Sequence, residues 1–79
     1  MQQRTRVALI FGGTSSEHGV SCLTAASVLA AIDQDRFDVV GVGISPSGRW
    51  TQVSLDELAS YEVTEGKLPQ ITEPETDAV

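Results

Sequence analysis

The sequence feature that most constrains the fold is the run Arg6-Val7-Ala8-Leu9-Ile10-Phe11, which stops at Gly12-Gly13 and gives way to Thr14, Ser15, Ser16, Glu17 and His18. A continuous apolar run of strand formers this short fits a strand buried between two layers, as in parallel sheets. The small hydroxyl residues after it favour a helix start, and Thr14-x-x-Glu17 has the spacing of a capping box. From there to Asp33 the residues Cys22, Ala25, Ala26, Leu29 and Ile32 recur at helical spacing and form one apolar stripe. Val39 to Ile44 offers a second buried strand. Strand, helix, strand at this spacing is a right-handed βαβ unit, so the fold class expected is α/β, with a Rossmann-like open parallel sheet. Ser45-Pro46-Ser47-Gly48 reads as a turn. Arg49 to Ser54 follows as a short edge strand, and Ser54 caps a short helix through Ser60.

The chain has 79 residues, enough for one small domain with a modest core. Cys22 is its only cysteine and His18 its only histidine, so neither an internal disulfide nor a four-ligand zinc site can form from them. Cys22, on the apolar stripe, reads as packed core, and the cysteine usage suits a reducing cytoplasm. No secretory signal is recognisable, and no apolar stretch approaches membrane-spanning length. The net charge of −6 is unevenly placed. In residues 1–53, Glu17, Asp33, Asp35 and Asp38 balance Arg4, Arg6, Arg36 and Arg49. Residues 54–79 hold seven acids against Lys67, together with Pro69 and Pro74. Nucleic-acid binding needs a basic patch, and none is present. The expected division is therefore a folded unit over 1–59 and an acidic, mobile segment over 60–79.

In open α/β sheets ligands bind beyond the carboxyl ends of the strands, beside helix N-termini. Gly12 to Ser21 occupies that position. It lacks the glycine spacing of a dinucleotide site and the lysine of a phosphate loop. A carboxylate at the helix start repels phosphate. Glu17 instead suits a cationic partner such as a substrate ammonium, although a purely structural capping role is compatible with it.

The stretch Val7 to Leu29 resembles the N-terminal end of the D-alanine–D-alanine ligases, in which a strand runs into Gly-Gly-x-Ser-x-Glu-His/Arg-x-Val-Ser and a helix. Arg36 to Trp50 is similar to that family's second strand and turn, and Gly66 to Ile71 carries a weaker echo. Gly19 is the departure, since many members have an acidic or larger residue there. The resemblance implies the start of the N-terminal substrate domain of an ATP-grasp ligase, a protein several times longer than this chain. It implies an enzyme that joins two D-alanines through an acyl phosphate. ATP and Mg2+ or Mn2+ would be bound outside these residues, the parent would be a cytoplasmic homodimer, and this chain alone would be inactive. By the same resemblance Glu17 is the catalytic residue that holds the ammonium of the first D-alanine. Val20 and Ser21 would line that substrate, and Gly12, Gly13 and His18 would lie near the site. His18 has no visible partner in the sequence, which favours a place beside the site over a role as catalytic base. The rival expectation is a small non-enzymatic α/β regulatory or interaction module.

Overall fold

The computed structural model describes residues 3–75. Its elements are β1 (Thr5–Gly12), α1 (His18–Ala31), β2 (Phe37–Ile44), β3 (Trp50–Val53) and α2 (Leu55–Ala59). The order in the sheet is β1-β2-β3. β1 and β2 run parallel, with Val7 opposite Val39 and Phe11 opposite Gly43. β3 folds back antiparallel on β2, with Ile44 opposite Trp50, so the sheet is mixed. A short turn closed by Gly48 N–H donating to the Ser45 carbonyl permits that reversal, whereas the parallel pair needs α1 as its crossover.

One face of the sheet carries the core. Alternate residues of β1 face α1, and Phe11 joins Cys22, Ala25 and Leu29 there, all buried. Ala26 and Ile32 pack against them. The stripe expected from the sequence is therefore the buried face of α1. β2 contributes Val39, β3 Val53 and α2 Leu58, and Tyr61 meets Phe11 edge to face at a centroid distance of 5.8 Å. Ser54 caps α2 as expected, its hydroxyl accepting from Glu57 N–H at 3.1 Å.

Four expectations need correction. α1 begins at His18 and ends at Ala31, later and earlier than the periodicity suggested, and β2 begins at Phe37, two residues before Val39. The capping box does not form: Glu17 itself occupies the N-cap position and its side chain makes no cap bond. Ser15 takes that role locally, its hydroxyl accepting from Glu17 N–H at 3.1 Å. β1 is not buried on both faces either. It lies at the sheet edge, and Ile10 on the face away from α1 is 51% exposed. The apolar run reflects what the strand can pack against, and in these residues only one face and one edge are covered.

Packing also continues past residue 59. After α2 the chain turns through Thr64–Lys67 and then runs extended, placing Ile71 in the core at 1% exposure. The acidic composition of 60–75 hides this anchor. The last four residues of the expected acidic segment, 76–79, lie outside the described residues.

Candidate functional site

The site is built from the turn between β1 and α1. Gly12 and Gly13 both have left-handed backbone, with φ of 94° and 113°. At Gly12 only glycine fits, because a Cβ would meet the Ile44 carbonyl and the Ile71 side chain. This conformation lets Gly13 N–H donate to the Ile44 carbonyl at 2.7 Å, one step beyond the β1–β2 ladder, before the chain swings towards α1. Ser21, from the first turn of α1, accepts from Gly12 N–H through its hydroxyl at 2.9 Å. The turn is thus tied to both the neighbouring strand and the helix that follows it.

His18 completes the tie. The residue is 7% exposed, and Nδ1 lies 2.8 Å from the Gly13 carbonyl while Nε2 accepts from Ile71 N–H at 3.1 Å. A carbonyl can only accept and a peptide N–H can only donate, so these two partners fix the neutral tautomer with the proton on Nδ1. The partners of His18 were invisible in the sequence for a simple reason. One is a backbone carbonyl and the other lies 53 residues downstream.

The C-terminal segment therefore passes over the carboxyl ends of β1 and β2 as a strap. Leu68 sits on Gly19 of α1, where a Cβ would come within 2.5 Å of the Leu68 Cβ. That contact accounts for glycine at position 19. Farther along, Glu73 reaches the Ser45–Gly48 turn, accepting from Ser47 N–H at 3.0 Å and from the Ser47 hydroxyl at 2.6 Å. The Ser45 and Ser47 hydroxyls beside it hold the Glu73 carboxyl below its ordinary range. Arg49 adds a bond to the Glu75 carbonyl at 2.8 Å. Leu68 and Ile71 fall within the Gly66–Ile71 echo, the one signal in the sequence for this segment, and nothing in the sequence marked Glu73.

Against this framework, Glu17 and Val20 are left outward. Glu17 is exposed, and among the described residues no hydrogen bond engages its carboxylate. Val20, in the first turn of α1, is 45% exposed. The structure thus splits the six residues named from the sequence into two groups. Gly12, Gly13, His18 and Ser21 bond to one another or to the strap, while Glu17 and Val20 present a carboxylate and an apolar surface to solvent. Cys22 is inert in this setting: burial first, and the Glu57 charge second, push its thiol up. Tyr61 is raised likewise by burial, with its hydroxyl donating to the Glu57 carboxylate at 3.0 Å. Among the described residues no group of three or more His, Cys, Asp or Glu side chains could hold a metal ion, and no helix is long and apolar enough to cross a membrane.

The family model described as the D-ala D-ala ligase N-terminus matches residues 6–78. The chain belongs to this family. The match takes in the strap as well as the βαβ unit, so it reaches well past the 6–50 stretch that carried the resemblance. Similar proteins include a D-alanine–D-alanine ligase of Kineococcus radiotolerans, 53% identical over 70 residues that cover 89% of this chain and 18% of that protein. A D-alanine–D-alanine ligase of Mycolicibacterium smegmatis is 50% identical over 70 residues, again covering 89% of this chain and 18% of the relative. Among solved structures, the VanG D-Ala:D-Ser ligase from Enterococcus faecalis matches with a TM-score of 0.65 and 34% identity, over 71% of this chain and 17% of that one. The chain spans about a fifth of the length of these D-alanine–D-alanine ligases. The relatives named here are all ligases.

Proposed function

We propose that this chain forms the amino-acid-holding part of an ATP-dependent D-alanine–D-alanine ligase. In that reaction ATP phosphorylates the carboxylate of one D-alanine, and the amine of a second D-alanine attacks the acyl phosphate, releasing phosphate and leaving ADP. The dipeptide serves peptidoglycan precursor synthesis in the cytoplasm. ATP and its Mg2+ or Mn2+ are assigned to residues outside this chain, in an ATP-grasp portion of the parent, which we take to be a homodimer. The 79 residues alone are accordingly inactive.

One observation carries the reading. Glu17 is a carboxylate at the start of α1, beyond the carboxyl end of β1, exposed and without a hydrogen-bond partner among the described residues. An ammonium group answers such a carboxylate with charge-assisted hydrogen bonds, which are about twice as strong as neutral ones. Held by its ammonium at Glu17, with its methyl group against Val20, the first D-alanine would direct its carboxylate away from α1 towards the phosphoryl donor. Orientation of this kind is worth roughly several kcal/mol of barrier. Gly12, Gly13 and Ser21 hold the turn that carries Glu17. The test is an assay of the full-length protein for phosphate release with ATP, Mg2+ and D-alanine. D-alanine-dependent release that is absent with L-alanine is expected. Phosphate release indifferent to D-alanine would contradict the proposal.

A further inference from the structure

The His18 ring does more than fill space beside the site. It bonds both to the glycine turn, through the Gly13 carbonyl, and to the strap, through Ile71 N–H. It is also the first residue of α1, directly following the N-cap Glu17. The backbone on its N-terminal side is pinned by two local bonds, from Glu17 N–H to the Ser15 hydroxyl and from His18 N–H to the Ser15 carbonyl. On the C-terminal side, Ser21 N–H donates to the Glu17 carbonyl at 2.8 Å as part of the helix. The direction in which the Glu17 side chain leaves the helix start therefore depends on where the next residue is anchored, and that anchor is an imidazole buried between two backbone groups.

We propose that His18 is the positioning residue of the first amino-acid site: by tying the Gly13 carbonyl to the strap at Ile71 it fixes the helix start from which Glu17 reaches the substrate ammonium. The inference rests on the reading of Glu17 given above. The bond to Gly13 matters most, because it joins the two ends of the turn. The bond to Ile71 holds the ring in place from above. Substitutions separate the two. An asparagine amide can stand in for Nδ1 and donate to Gly13 while making no bond to Ile71. A glutamine amide oxygen reaches further, towards Ile71 N–H, and leaves the Gly13 carbonyl unpaired.

The experiment is steady-state kinetics of the full-length ligase carrying His18→Ala, His18→Asn and His18→Gln, with Glu17→Gln as reference. His18→Ala should raise KM for the first D-alanine by about tenfold, the scale of one buried hydrogen bond removed, with KM for ATP within about twofold of the parent. His18→Asn should recover most of the loss and His18→Gln little of it. A parallel rise in both KM values, or no folded protein from any of the three variants, would make His18 a structural residue and overturn the proposal. If the His18 variants keep the parental KM while Glu17→Gln raises it, the role of Glu17 stands and that of His18 falls. If Glu17→Gln itself leaves KM unchanged, the site reading fails first and the positioning role with it.

Discussion

The turn over residues 12–21 and the strap over residues 60–75 reach the same place by opposite routes. The turn is dense in information: two glycines with left-handed backbone, a serine that bonds back to the turn, and a histidine, all within ten positions. The strap is mostly exposed and acidic, and past Tyr61 its anchoring side chains are Leu68, Ile71 and Glu73. Each of these meets a feature of the first half that exists to receive it. Leu68 meets the missing side chain of Gly19, Ile71 meets the His18 ring, and Glu73 meets the Ser45–Gly48 turn. A segment whose average composition reads as solvated can still be docked when a few anchors find prepared seats, because burial is decided residue by residue.

The comparison can be broken most sharply at Ile71. Ile71→Ala removes a nearly fully buried side chain and should cost about 2–4 kcal/mol, enough to free the strap. Amide exchange of the full-length protein should then speed up across residues 68–73 while β2 keeps its protection. Equal protection in variant and parent would show that the strap is held by something other than this anchor.

A smaller effect is expected at Gly19, which Leu68 overlies. Gly19→Ala puts a Cβ against Leu68 and should cost about 1–3 kcal/mol by overpacking, despite the better helix propensity of alanine. A rise in melting temperature would mean that Leu68 moves aside freely.

Within the unmutated strap, the peptide holding Ile71 N–H should exchange far more slowly than the exposed Glu62–Gly66 turn, since only the former donates to a buried acceptor. Uniformly fast exchange from residue 60 onward would restore the expectation of an acidic, mobile segment.

The least effect belongs to Glu73. Its carboxyl is held below the ordinary range in the folded chain, so its contribution to docking is complete at neutral pH and fades as pH falls through and below the usual carboxylate range. Because the group is solvent-facing, Glu73→Gln should flatten the acid limb of strap protection only slightly and leave it unchanged at pH 7. A loss of protection at pH 7 would show a larger role than surface bonds ordinarily have.

How much of this was legible in the sequence follows the range of the interactions. Neighbouring residues dictate the parallel pair, the α1 stripe from Cys22 to Leu29, the cap at Ser54 and the glycine turn, so pattern and spacing reveal them. The capping box failed because two left-handed glycines delay the helix by several residues, and a spacing rule takes no account of the path leading into the helix. The open face of β1 at Ile10 was unreadable because an apolar run states a capacity for burial, and the covering layer is a separate matter. The partners of His18 were out of reach because one is backbone and the other lies across the fold. Glu17 is the reverse case. Its type and position were enough to nominate it, and the structure adds that its carboxylate is left free of the bonds that bind its neighbours among the described residues.

That separation between a fastened turn and an unfastened carboxylate is the centre of the account, and Glu17→Gln in the full-length ligase tests it most directly. Glutamine keeps the size and gives up the charge, and with no cap bond to lose the fold should be nearly indifferent. The prediction is a rise of about tenfold or more in KM for the first D-alanine, the scale of a charge-assisted hydrogen bond weakened to a neutral one, with KM for ATP little changed and melting temperature within a few degrees of the parent. A variant that melts much earlier while keeping normal KM for D-alanine would make Glu17 a structural residue and contradict the account.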